Sequence, residues 1–240
     1  MTTTTLHTLR VFVGSDGAGG NPLGVVLDGA AVPAADRQAI AADLGFSETV
    51  FVDDAVTGEL RIFTPTVELP LAGHPLVGTA WLLAGVDTLR PPAGEVPTWR
   101  EGDLTWIRGR PGWGPPYDLA RLESVADVDA FAVPGGDAMV AVWAWEDEAA
   151  GRLRARVFPN GIGIAEDEAT GAAALQFGAL IGRDVVIRQG EGSELHVRPS
   201  ADGTVAVGGR VELVQVTTTG GPSLRGPKGE TVDNALLIAA

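Results

Sequence analysis

"RIFTPTVELPLAGHPLVGTAWLLAGV", Arg61 to Val86, reads as a strand, a proline-broken loop and an apolar helix whose first turn carries Gly73, His74 and Pro75. A helix that only fills a core usually opens on Ser, Thr or Asp as its cap, and this one opens on bare backbone with an imidazole beside it. "RARVFPNGIGIAEDEATGAAALQFGALIG", Arg154 to Gly182, repeats the plan. Arg61 and Phe63 are matched by Arg156 and Phe158, and the distances from phenylalanine to the helix-opening glycine, Gly73 or Gly171, are 10 and 13 residues. The same order of parts at about half the chain length predicts two similar α+β halves, 1–109 and 110–218, followed by a tail, 219–240. The tail loses periodicity, and its last apolar residues either hang free or fold back on the body.

Working outward, "LHTLRVFV" (Leu6 to Val13) alternates as a half-buried strand, and "GAGGNPLGVVLD" turns into a second. The spacing of "PAADRQAIAADL" predicts a helix with Ile40 and Leu44 on one face and Gly45 as its stop. "SETVFVDDAVTGELRIFTP" reads as two strands about a Thr-Gly turn. "VPGGDAMVAVWAW" looks like a second version of "GAGGNPLGVVLD". "RPPAGEVPTW" and "RGRPGWGPPYD" read as loops or the link between the halves. "DVVIRQG", "ELHVRPS" and "TVAVGGRVELVQV" read as three strands closing the second half.

The 240 residues are enough for one large domain or two smaller ones, and 45% are hydrophobic, as in globular proteins. With 31 acidic against 17 basic residues the formal charge is -14, which argues against a nucleic-acid or anionic-membrane partner. The absence of cysteine excludes disulfides, thiolate catalysis and cysteine-held metals. "MTTTTLHTLR" lacks a secretion signal, and the uncharged run from Leu69 to Val86 is broken by proline and glycine, so a cytoplasmic protein is the default.

Two helix tips facing one cleft present free N–H groups and partial positive charge, a seat for a small carboxylate or a developing enolate. His74 is either a capping, solvent-facing histidine or a donor to substrate. Asp167 and Glu166 either complement the second helix dipole or place one acid in the cleft; Asp167 is the preferred acid, and Thr170 is placed to cap. Glu48, in "GFSETVFV", either starts its strand at a solvent end or shares an apolar face with Phe46, Val50 and Val52. In the second case desolvation raises its pKa toward the range a general acid/base needs.

"GGNPLGVV", "FSETVFV", "FTPTVELPLAGHPLVGTA" and "AEDEATGAAA", in this order and at these spacings, resemble the phenazine-biosynthesis PhzF-like isomerases, and "IRQGEGSELHVRPS" and "VAVGGRVELV" resemble the family's closing strands. The resemblance spans roughly Leu6 to Val216. It implies the diaminopimelate epimerase-like fold, two pseudo-symmetric halves that are each a curled, mostly antiparallel sheet around a central helix, commonly as a homodimer. It implies cofactor-independent movement of a proton between carbons of a small unsaturated carboxylic or amino acid, in specialised metabolism. By the same resemblance Glu48 is the acid/base, His74 and Asp167 complete the catalytic set, and Ser47, Gly73, Thr170, Gly171 and Ala172 bind substrate. Ala172 stands where the family often has serine, which implies a different substrate, and cysteine-pair racemisation is ruled out. The rival readings are another double-bond migration on the same fold, or a carboxylate-binding protein without catalysis.

Overall fold

The computed structural model describes residues 3–220, so the tail read at 219–240 lies, from 221 onward, outside the described residues. The first part of the chain runs β1 (Thr3–Val13), β2 (Asn21–Val26), α1 (Ala34–Leu44), β3 (Glu48–Asp54), β4 (Glu59–Phe63), β5 (Glu68–Leu69), α2 (Gly73–Leu82), β6 (Thr88–Leu89), β7 (Val96–Glu101) and β8 (Leu104–Gly109). It continues with β9 (Asp118–Arg121), α3 (Val125–Asp129), β10 (Met139–Asp147), β11 (Arg152–Pro159), α4 (Gly171–Ile181), β12 (Val185–Gln189), β13 (Ser193–Pro199) and β14 (Val205–Gly220). The fold is α+β: two pseudo-symmetric halves of one curled, mostly antiparallel sheet, each around a helix.

The repeat is visible in the pairing. β2 and β3 run parallel across α1, as β9 and β10 do across α3, and each parallel pair is followed by an antiparallel strand, β4 or β11, and then by a central helix. β10 is therefore the counterpart of β3. The sequence reading matched it to β2, because a glycine-rich lead-in was taken as the marker and the short α3 was not recognised.

Two further elements differ from the sequence reading. "VPTWRE" and "LTWIRG" form the antiparallel hairpin β7–β8, the first of them largely where a loop was expected; Pro97, which faces β6, hid β7. β14 does more than close the second half. Beyond its pairing with β13 and β8 it runs antiparallel along β1, Leu9 opposite Leu213 and Leu6 opposite Thr217, so that the last strand joins both halves.

Both central helices are wrapped by sheet, which explains why they are apolar all round. Every residue of α2 from Gly73 to Ala80 is buried, and Leu76 and Val77 share one core with Ala173, Leu175 and Phe177 of α4. Full burial of a side chain such as Leu76 contributes about 1.5–3 kcal/mol. Each helix also carries a glycine that lets it lie close on the sheet. A Cβ at Gly78 would stand 2.5 Å from Leu23 Cδ2, and one at Gly178 2.5 Å from Val205 Cγ1. On the other face of the sheet α1 covers Phe51 and Phe63 with Ile40 and Ala41, and it ends at Gly45, whose φ of 70° is left-handed as the sequence suggested.

Candidate active site

The sheet brings the N-termini of α2 and α4 into contact. A Cβ built on Gly73 would lie 2.5 Å from Gly171 Cα, and one on Gly171 2.6 Å from Gly73 Cα. Glycine is thus required at both positions because the opposite helix occupies the space. Neither tip has a cap hydrogen bond from its own N-cap side chain, Ala72 or Thr170. Their N–H groups and dipoles converge on a cavity of about 300 Å³.

Glu48, His74 and Asp167 line this cavity together, with relative exposures of 6%, 2% and 8%. The solvent-end alternative for Glu48 is thereby removed. Alternation along β3 does not reveal this position, since residues 48–52 are all buried: α1 covers one face and the α2 core the other. Burial, reinforced by the charge of Asp167, pushes the Glu48 carboxyl up to about 8, and a weaker opposing pull comes from the Ser47 hydroxyl. Burial also raises Asp167, to about 6, against the downward pull of donors from Thr170 and Asn21.

His74 Nε2 lies 3.4 Å from Glu48 Oε2. Desolvation lowers the imidazole to about 3, with only the Pro22 carbonyl favouring the cation, so this is a contact with a neutral ring and not an ion pair. Both atoms are fully buried, and neither has a hydrogen-bond partner among the described residues. Buried polar atoms are nearly always paired, so two orphans facing each other beside two helix tips are an exception.

Asp167 is held very differently. Asn21 Nδ2 donates to its Oδ1 at 2.7 Å and also to the Ala169 carbonyl at 3.0 Å, while Ser47 Oγ donates to Asn21 Oδ1 at 3.1 Å. Thr170 Oγ1 donates to Asp167 Oδ2 at 2.6 Å. Thr170 occupies the N-cap position of α4, but its hydroxyl serves the aspartate and does not cap, contrary to the expectation from sequence. Gln189, at the end of β12, holds Thr170 itself: its Oε1 accepts from Thr170 N at 3.3 Å. Its Nε2 donates to the Asp167 carbonyl at 2.8 Å and to Thr170 Oγ1 at 2.9 Å, which turns the threonine proton toward Asp167.

Glu166, the acid not chosen, forms a two-bond fork with Arg156 at 2.7 Å per bond. Ala172 lines the cavity wall, whereas Ser47 lines a neighbouring cavity that shares Asp167 with this one. The sequence reading missed Asn21, Gln189 and Tyr117, which also lines the site. Asn21 sat inside a quoted motif, and an amide opening an apolar strand was the available signal.

The profile of the PhzC-PhzF family, "Phenazine biosynthesis-like protein", matches residues 10–103. The trans-2,3-dihydro-3-hydroxyanthranilate isomerase of Pseudomonas aeruginosa is 31% identical, the match covering 84% of this chain and 91% of that protein. An uncharacterized isomerase of Mesorhizobium japonicum is 49% identical over 69 residues, 27% of this chain and 23% of that protein. Among solved structures, a predicted epimerase from Pseudomonas aeruginosa aligns with a TM-score of 0.71 at 26% identity, over 90% of this chain and 98% of that one. A hydroxyproline epimerase from Agrobacterium vitis, at 12% identity and a TM-score of 0.58 over 95% and 94% of the two chains, shares the fold alone. The chain belongs to the PhzF-like isomerase family and carries its epimerase-like fold.

Proposed function

We propose that this protein isomerises a small unsaturated carboxylic or amino acid by moving one proton between two carbons, in specialised metabolism, without an external cofactor. The observation that carries the reading is the buried, unpartnered pair Glu48 Oε2 and His74 Nε2, 3.4 Å apart at the helix tips. As a carboxylate, Glu48 removes a proton from one carbon. The electron pair spreads through the double bond into the substrate carboxylate, where the two tips and neutral His74 stabilise the enolate charge. The protonated Glu48 then returns the proton to the far carbon of the conjugated system, so one C–H bond breaks, one forms and the double bond shifts. A carboxyl near 8 populates both forms around neutral pH, as this sequence requires. Asp167, fixed by Asn21 and Thr170, keeps a negative charge that holds the proton on Glu48 and orients the substrate.

The activity named for the Pseudomonas aeruginosa relative makes trans-2,3-dihydro-3-hydroxyanthranilate the first compound to test. It and a series of unsaturated amino and keto acids are incubated in deuterated water with wild type and with Glu48→Gln. Migration of the double bond with wild type, with deuterium at the far carbon wherever Glu48 exchanges its proton with solvent, and loss of both with the variant, is the expected result. Tight binding of these acids with neither double-bond migration nor exchange would refute catalysis and leave a carboxylate-binding protein.

A further inference from the structure

One wall of the cavity is a strap of residues 113–117 that the roles above do not use. Three contacts fix it to α4. Tyr117 N donates to Gln176 Oε1 at 3.0 Å, Gln176 Nε2 donates to the Pro115 carbonyl at 2.8 Å, and Gly114 sits so close that a Cβ there would lie 2.8 Å from Ala172 Cβ. The Tyr117 ring is therefore anchored at its base, and it lines the same cavity as Glu48, His74 and Asp167.

The polar side chains of that cavity can be sorted by what they already do. Asp167 and Thr170 are committed to each other and to Asn21 and Gln189. Glu48 and His74 face one another. The Tyr117 phenol makes no hydrogen bond among the described residues, where only its backbone N–H is engaged. Among the described residues no arginine or lysine lines the cavity. Burial and the nearby charges of Asp167 and Glu48 all raise the phenol above its ordinary value, so it keeps its proton and has an O–H to donate.

Resting on the isomerase reading above, we propose that Tyr117 contacts the substrate, its O–H donating to an oxygen substituent other than the carboxylate seated at the helix tips. This makes Tyr117 a specificity residue, selecting hydroxy- or keto-substituted acids over the unsubstituted ones. A rigid donor left unpaired by the wrong substrate is the arrangement that discriminates by a single oxygen.

Tyr117 is the only tyrosine in the chain, so tyrosine carrying ¹³C at Cζ gives a protein with one tyrosine signal. The probes are benzoate and its three ring-hydroxylated forms, flat monocarboxylates that a site of this size accommodates. In wild type at least one hydroxybenzoate should bind about 5- to 10-fold more tightly than benzoate and shift the Cζ resonance. Tyr117→Phe, which keeps the ring and its packing, should lose that preference while binding benzoate as before and melting at the same temperature. Equal preference in Tyr117→Phe and wild type, an unmoved Cζ signal at saturation, or no binding of any probe would overturn the assignment. Glu48→Gln separates the two proposals, since it should keep the hydroxyl preference while losing carbon exchange. If deuterium exchange proceeds in Tyr117→Phe with unchanged selectivity, the isomerase reading stands and the role of Tyr117 falls.

Discussion

Glu48→Gln should make the protein more stable as it makes it inactive, and the gain should depend on pH. The unfolded chain releases the Glu48 proton from about pH 4.5, whereas the folded chain holds it until about pH 8. Between those values the unfolded state binds fewer protons than the folded one, so stability falls as pH rises. At about 1.4 kcal/mol per pH step the loss approaches about 4–5 kcal/mol at the upper end, and it is absent below the unfolded value. Glutamine has the same shape and no such slope, although its buried amide, lacking a partner, costs about 1–3 kcal/mol. The net expectation is a stabilisation of about 1–4 kcal/mol at pH 8, or roughly 2–16 °C in Tm for a chain of this length, vanishing or reversing near pH 4.5. Urea melts of both proteins at the two pH values measure it, and proton-transfer turnover should fall by at least ~10²-fold in parallel. If the two proteins show the same pH dependence of stability, Glu48 titrates normally and the reasoning fails whatever happens to activity.

Gly171→Ala places a methyl group where the Gly73 backbone already lies, at 2.6 Å, so the helix tips must part. It should cost about 1–3 kcal/mol in a denaturant melt and, by displacing the anion seat, on the order of 10² in kcat. Gln189→Met keeps the volume but releases the Thr170 hydroxyl from its orientation, so the Asp167 carboxyl should titrate above its present value of about 6. Carboxyl ¹³C NMR of aspartate-labelled protein reads this without a substrate, and an unchanged titration would deny Gln189 a positioning role. Because the reaction begins with both Asp167 and Glu48 ionised, wild-type kcat/KM should rise with pH and level off above about 8, an apparent value that belongs to the pair, and a profile flat across this range would contradict the assignment.

What the sequence disclosed was whatever repeats or lies in one motif. Gly73 and Gly171 stood out because two helices opened without caps at matching places, and Arg-x-Phe fixed β4 against β11. Glu48 was visible as a carboxylate in apolar company, but its burial was not, because β3 is covered on both faces and so carries no alternation to read. Asn21 and Gln189 were missed for a different reason: the hydrogen bond from Asn21 to Asp167 spans 146 positions, and local patterning says nothing about such partners. β7 was lost to a proline near its start, where its partner on one side is only the two-residue β6. The loops that set the cavity wall, Tyr117 included, have no periodicity at all.

The pairing of β1 with β14 sets the timetable of assembly. Leu9 finds Leu213, and His7 finds Val216, only after about two hundred residues have been added to the growing chain. Until then the first strand leaves the ribosome with one edge bare, β2 being its only neighbour, and such an edge invites pairing with another nascent chain. A ribosome that stops before β14 releases a polypeptide holding every residue assigned to the reaction but not the strand that draws the two halves together. Truncation there should leave the acid, the imidazole and both glycine tips present yet unassembled.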